Sequence, residues 1–540
     1  MTLLGSSRLQ PTAGRSARAF TALAALSLSF IACNTIFGIE PGELQPIGSG
    51  GAGGAGGVGG VGGSGGAGGS VEQCGTGGGG AYDGALRWAS KSTQSVYALA
   101  TGVAFGASND VIVAGNYSEG DIQLGTSLLE HAGAPATNDI FLASFDEVSG
   151  DPRWARGFPA AEEQIVYDVE VHRGSGDIVL TGRVEGTVSF GDGTTLVSQG
   201  MGDVFIARFD KDGAHLWSRL YGDPDHQVGI NVAVDGEGNI VLGALIYGTI
   251  DFKDDQWGTP GDIGLFVGKL DPGGNELWSR FYDTGFYDGE TIGLDTDADD
   301  NIVLTGSGSG AHFNASDPFN GETDVYVIKY DKDGTYLWSR MFGGTGIPDT
   351  ENGHQWGTAA AFDCTGEIFV TGAFRKDLAF GELPVITAVD PTDEGDIFVA
   401  RLRGSDGEPV WARAFGDAGL QRGLSIDADA LSNVVLGGVL VDTATSTGID
   451  LGGGDKHLPP GPDGGDYRED LVIARYTSAG DHLWSRRFGD PFIQEGEVAV
   501  DPSGAIACAG DFYFGIQFDG TTGGELSDPE RDMFVALFNP

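Results

Sequence analysis

Three groups of residues in this chain have side chains and spacings that could do chemistry. The first is an Asp that opens an apolar run at Asp139, Asp203, Asp324, Asp396, Asp470 and Asp532; one further copy of the run has Gly264 there and Asp262 two places earlier. A ring of such carboxylates could bind cations. An Asp at the start of a strand is also a fastener that accepts hydrogen bonds from turn amides and fixes register, and the recurrence favours that role. The second group is Trp88, Trp154, Trp217, Trp278, Trp338, Trp411 and Trp484, with Arg219, Arg280, Arg340, Arg413 and Arg486 two places after the last five. Strand alternation puts Trp217 and Arg219 on one face, where they could grip a sugar ring or an anion. Near-identical copies argue instead for packing, with an Arg stem stacked on an indole between repeats. The third is the turn D-T-D-A-D-D-N over residues 295–301, in which Asp295, Asp297, Asp299 and Asp300 have the acid spacing of a calcium loop without its usual distal Glu. The Asp-Gly turns at 209–213 and 330–334 share that spacing and serve equally as hairpin turns.

Local catalytic motifs are absent from the sequence. Its eight His show no H-E-x-x-H or paired spacing, no G-x-S-x-G elbow occurs, and only His354, beside Trp356, stands in a conspicuous setting. A site assembled from several repeats would leave no such motif, so an enzyme is unsupported rather than excluded. The four Cys (Cys33, Cys74, Cys364 and Cys508) fit neither a zinc site nor a disulfide framework, and Cys364 and Cys508 are expected as free, mostly buried thiols. A formal net charge of −47 with no basic stripe repels nucleic acid and anionic lipid. Solubility or adaptation to salt accounts for that charge; divalent-cation binding is the sharper alternative.

The elements that must position these residues follow from repetition. Residues 203–219 read D-V-F-I-A-R-F-D-K-D-G-A-H-L-W-S-R, two alternating runs about an Asp-Gly turn, which predicts a β-hairpin. The first run recurs seven times and the Trp run seven times, and each Trp run is followed by two further runs, as in V-A-V-D-G-E-G-N-I-V-L-G at 232–243. Four strands per period of roughly 60–73 residues predict an all-β, seven-bladed β-propeller of four-stranded blades over residues 81–540. Motifs such as G-T-V-S-F-G (186–191) and I-D-L-G (449–452) after the fourth run predict a strand extension or a short extra hairpin. A lone Trp strand near residue 88 and a lone D-M-F-V-A-L-F strand at 532–538 are expected to pair and close the ring, which removes exposed edges; an open solenoid would leave both unpaired.

The text V-A-V-D-G-E-G-N-I-V-L-G (232–243), D-V-Y-V-I-K-Y-D-K-D-G (324–334) and L-W-S-R-M-F-G-G (337–344) resembles the bacterial SBBP-type β-propeller repeat. That resemblance covers residues 81–540 and implies the fold, with no implied activity.

Upstream, Arg8, Arg15 and Arg18 precede an apolar run at 19–32 that ends at Cys33, too short to span a bilayer and suited to a signal-peptide core. The sequence F-I-A-C resembles the lipobox of bacterial lipoproteins, with Phe30 where Leu is usual. By that resemblance residues 1–32 are a lipoprotein signal peptide, Cys33 becomes the acylated N-terminus, and Asn34 after it implies an outer-membrane address. The linker over 33–80 contains a Gly-rich stretch that cannot pack a core and gives roughly 35–40 Å of flexible reach. Tight turns alternate with long, variable connections, so the long ones should share one face: 118–138, 253–261, 307–323, 343–356, 376–395 and 442–469. The expected function is a binding scaffold, monomeric, for a protein or glycan partner on that face. A hydrolase or lyase with a site in the central channel, or a structural envelope component, are the alternatives, and calcium is the only cofactor suggested.

Overall fold

A computed structural model describes residues 83–93, 97–107, 110–191, 193–283, 292–308, 323–344, 354–389, 395–441, 446, 448–454, 456–457, 469–489, 493–518 and 525–540. All belong to one compact unit within Gln45–Pro540. The leader over 1–32, Cys33 and the linker over 33–80 lie outside the described residues, as does most of the connection over 442–469.

Seven four-stranded antiparallel sheets make a seven-bladed propeller. The second blade shows the pattern: inner strand Gln164–Val171, second strand Ile178–Val184, third strand Asp203–Phe209 and outer strand His215–Tyr221. Inner, second and third strands are almost wholly buried, because β-branched and aromatic residues occupy both faces. Only the outer, Trp-bearing strand alternates between covered and exposed positions. Each hydrophobic cluster joins adjacent blades; one unites Val111, Val113 and Phe141 of the first blade with Val535 and Leu537 of the seventh.

The seventh blade is built from both ends of the repeat region. Leu86–Lys91 is its outer strand and pairs with Glu525–Phe538, with Trp88 opposite Leu537 and Ser90 opposite Val535. The ring is therefore closed, as expected from the two lone strands. Where other blades have a hairpin turn, backbone bonds from Asp83 to Pro540 and from Asn539 to Ala85 bring the strands together.

The repeated Trp is the mortar between blades. Its indole N–H donates to a backbone carbonyl in the hairpin turn of the next blade: Trp88 to Glu147 (2.8 Å), Trp217 to Pro272 (3.0 Å), Trp278 to Lys332 (3.2 Å), Trp338 to Gly404 (3.1 Å) and Trp411 to Ser478 (3.0 Å). The ring lies on the turn glycine. At Gly213, with φ +74°, an added Cβ would sit 2.7 Å from Trp154, so this position requires glycine for both conformation and close approach. Arg156, Arg280 and Arg413 hold their guanidinium groups over Trp154, Trp278 and Trp411 at 5.5–5.8 Å.

The segments after the second strand take both expected forms. In the third and seventh blades they lengthen the second and third strands, to Ile240–Phe252 with Asp255–Leu270 and Ile506–Gln517 with Glu525–Phe538. In the first, second, fifth and sixth blades they form a separate two-stranded hairpin.

One expectation is corrected. Cys508 is free and buried, but Cys364 is disulfide-bonded, to a partner outside the described residues. Cys364 lies in a half-exposed turn of the fifth blade, where another segment can reach it, whereas Cys508 is enclosed in a core cluster.

Removal of residues 532–540 takes away the strand that Leu86–Lys91 and Ile506–Gln517 both need. The truncated chain is expected to aggregate or to lose its cooperative unfolding transition in calorimetry and size-exclusion chromatography. A truncated chain with unchanged midpoint and elution volume would refute closure as the latch.

Candidate functional site

The two faces of the ring are built differently. One carries tight turns whose Asp carboxylates are occupied within the turn: Asp210 accepts from the amides of Asp212 and Ala214, and Asp235 from those of Glu237 and Asn239. Many of these carboxylates are also neutralised from the third strand of their own blade, as in Lys269–Asp235 (2.7 Å), Lys329–Asp297 (3.0 Å) and the fully enclosed Arg475–Asp429 pair. Removing one member of such a buried pair costs roughly 3–5 kcal/mol, so this face is rigid scaffold.

The acid turn of the fourth blade belongs to that scaffold. Asp297 accepts from the amides of Asp299 and Asn301, Asp299 is exposed, and Asp300, at φ +62°, accepts from the amide of Gly236 in the preceding blade. Asp295 is enclosed on the inner strand and accepts from Phe362 of the next blade at 2.7 Å. The four acids thus have separate partners, and among the described residues no three His, Cys, Asp or Glu side chains converge as metal ligands.

The Asp that opens each third strand lies buried on the opposite, long-connection face and ties loops down. Asp139 accepts from Ala132 (2.7 Å) and Ala160 (2.9 Å), Asp203 from Gln199 (2.9 Å) and Asp396 from Val389 (2.8 Å). Asp470 pairs with Arg487 at 2.5 Å, and Asp532 accepts from Ser92 and Lys91 at 2.7 and 2.9 Å. Asp324 packs beneath Gly343, where an added Cβ would meet its carboxylate at 2.1 Å.

Within this face, the inner strands place unlike side chains at one level beside the channel mouth. Trp356, Arg422 and Glu495 each sit opposite the sixth residue of their blade's second strand, namely Ala373, Val439 and Asp511. Trp356 stacks on His354, with ring centroids 5.5 Å apart, and carries the Arg375 guanidinium 5.1 Å from its ring centre. Glu495 of the seventh blade lies within the field of Glu469 of the sixth, with Arg422 and Arg531 close by. Arg531 bonds Asp511 at 2.5 Å, approaches Glu495 at 3.8 Å and lies over the ring of Tyr97 at 5.9 Å.

Burial, reinforced by Glu469, holds the Glu495 carboxyl well above its ordinary range. Burial pushes Asp511 up to about 6 despite Arg531, and Asp532 up to about 6 despite Lys91. The arrangement offers two guanidinium groups, a protonated carboxyl and aromatic surface around one opening. It can hydrogen-bond hydroxyls, hold an anionic group, or exchange a proton.

Attention to the repeats alone passes over this cluster. The signal lies in four short texts, Q-V-G (227–229), Q-W-G (355–357), Q-R-G (421–423) and Q-E-G (494–496), whose flanks repeat while the middle residue changes type. Arg531 meets Asp511 across paired strands of the seventh blade, Glu495 meets Glu469 across successive blades, and only the contact of Arg531 with Tyr97 of the first blade is a consequence of ring closure.

The folded state retains the Glu495 and Asp511 protons to higher pH than an unfolded chain does. These two groups therefore make stability fall as pH rises from about 4 through about 6. Carboxyl 13C titration of the intact chain is expected to give an Asp511 midpoint near 6 and a Glu495 midpoint above the ordinary carboxylate range. Ordinary midpoints for both would refute the burial of these carboxyls.

The chain matches no family model. Over 209 residues it is 23% identical to an uncharacterised WD repeat-containing protein of Acanthamoeba polyphaga mimivirus, covering 32% of this chain and only 14% of that relative. Among solved structures it is similar to a quinohemoprotein alcohol dehydrogenase from Comamonas testosteroni, at TM-score 0.38 and 11% identity, covering 84% of this chain and 76% of that one. Sqt1 of Chaetomium thermophilum gives the same TM-score and identity, covering 85% and 98%. The propeller assignment rests on the chain's own sheet order and closure.

Proposed function

We propose that this chain is a lipid-anchored, extracytoplasmic binding scaffold that engages a protein or glycan partner through the long-connection face. The observation that carries this reading is the row Trp356, Arg422 and Glu495, where three successive blades put different chemistry at one repeated position beside the channel mouth. Packing between near-identical repeats does not require that variation, whereas recognition of one ligand does. The opposite face supports the same reading, since its turn carboxylates are committed to their own turns. Acylation at Cys33 and the 33–80 linker complete the proposal, with an outer-membrane address and a monomeric head on a leash. The acid turn at Asp295, Asp297, Asp299 and Asp300 remains a proposal for calcium only in so far as Asp295 serves another site, treated below.

A photoreactive residue in place of Val389, exposed on the long-connection face, is expected to cross-link a discrete envelope component. The same residue in place of Asp212, on the tight-turn face, should not. Arg422→Ala should weaken capture by about tenfold, roughly 1.4 kcal/mol. Cross-linking from position 212 alone would overturn the assignment of the face.

Membrane attachment is tested separately. Cys33→Ser should leave the membrane fraction, and unchanged fractionation refutes the anchor.

The proximity of Glu469 to Glu495 favours a second reading, a hydrolase or lyase at the channel mouth, because a carboxyl held toward its protonated form suits general-acid work. Turnover of an envelope glycan that Glu495→Gln abolishes, with capture retained, would favour it over the scaffold.

A further inference from the structure

The central channel presents an edge problem. Each inner strand has hydrogen-bonding groups on the side away from its sheet, where no strand pairs with it. Side chains of the preceding blade meet some of them: Asp168 accepts from Val232 (2.9 Å), Asp295 from Phe362 (2.7 Å), and Asp427 from Val500 (2.7 Å). The hydroxyl of Ser425 accepts from Val498 at 3.0 Å.

One level of this lining has a pattern of its own. Glu170, Asp295 and Asp427 sit opposite Val179, Val303 and Val435, the second residue of each second strand. The same position in the other four blades is Ala104, Ala233, Ala361 and Ala499. Carboxylates therefore stand in the second, fourth and sixth blades, separated by alanines that leave room between them. Glu170 lies within the field of Asp168 and Asp295, and Asp295 within that of Asp427. Arg173 is a cation whose field reaches Glu170 and Asp427, while burial drives all three acids toward the protonated form, which a bound cation would reverse.

Two enclosed groups at this place lack a protein partner. Glu170 is 7% exposed; its Oε1 accepts from Val171, but Oε2 has no partner. Asn231 is fully buried, and neither its amide oxygen nor its nitrogen has one. Its neighbour Val232 packs into the cluster between the second and third blades, so alternation turns Asn231 the other way, to the side on which Ala233 packs toward the fourth blade. A buried amide and a buried carboxylate oxygen left unpaired each cost about 1–3 kcal/mol unless water or an ion meets them.

We propose that the channel holds one hydrated divalent cation between Glu170, Asp295 and Asp427, with the Asn231 amide and Asp168 one level away. The donors are all oxygen, which suits a hard cation such as Mg2+ or Ca2+. Their spacing on alternate blades does not close on a bare ion, in keeping with the lack of converging ligands. An ion that keeps its water shell meets them through that shell, and its waters also supply partners for Glu170 Oε2 and Asn231. This site is distinct from the partner-binding mouth.

The test uses the full chain, freed of metal with chelator and titrated with MgCl2 or CaCl2 in 0.15 M NaCl. Calorimetry should show one equivalent bound, with a rise in thermal midpoint. Glu170→Gln with Asp295→Asn should abolish both the heat and the rise. In chelator the same variant is expected to be no less stable than the parent, because two mutually repelling buried acids are gone. Asp299→Asn, in the exposed turn, should bind as the parent does. Absence of binding by either ion overturns the proposal. So does a metal-dependent rise that survives in the channel variant, or one lost only with Asp299→Asn. If the channel variant fails to fold, Glu170→Gln alone decides, through weakened binding or an unchanged isotherm.

Discussion

A β-sheet cannot end in a bare edge without cost, and this ring of seven sheets meets that constraint at every boundary. Blades are hydrogen-bonded internally, so each exposes an inner and an outer edge. The inner edges converge on the axis, where bulk water has limited access and carboxylates, hydroxyls and amides of the preceding blade serve as partners. The seventh sheet would have lacked an outer strand altogether, and Leu86–Lys91 supplies it. Cooperativity follows, because closure binds residues more than 400 positions apart into one sheet.

The repeated residues divide the remaining work. The Trp indole bridges blades through a hydrogen bond worth about 1 kcal/mol net and through a much larger apolar contact. The cation five places after the residue that opens the repeated run (Asp203, Gly264, Asp324, Asp396 or Asp470), namely Arg208, Lys269, Lys329, Arg401 or Arg475, neutralises an acidic turn of its own blade. Most of these cations also donate to carbonyls of the next blade, as Arg208 does to Gly238 and Arg475 to Gly504. An overall charge of −47 is thus compatible with a compact ring, since much of the buried acid is locally paired or occupied by amides.

Departures from the repeat mark the places where the scaffold does something else. Glu495 replaces an apolar residue of the type of Val228 and acquires a carboxyl partner, Glu469. Glu170, Asp295 and Asp427 stand where four other blades have Ala. Both sets hold acids that burial drives toward the protonated form, a cost that packing between blades gives no reason to incur. One set lies at the long-connection face and the other further along the inner strands, so the two occupy separate levels of the ring.

The sequence by itself determined the strands, their number per repeat and the closure, because hydrophobic alternation and Asp-Gly turns are local properties that seven copies restate. It also carried the tight-turn scaffold, since an Asp such as Asp210 bonds amides only two and four residues away. Tertiary structure decided the partners of every residue that acts across blades. Asp295 reads as part of an acid turn with Asp297, Asp299 and Asp300, yet the strand's alternation turns it to the axis, with Phe362 as partner and Asp427 as electrostatic neighbour. Glu469 and Glu495 meet when the sixth and seventh blades pack, and Arg531 meets Tyr97 of the first blade only when the ring closes. Sequence periodicity encodes which face of a strand a residue occupies, but the curvature of the assembled ring sets which faces converge.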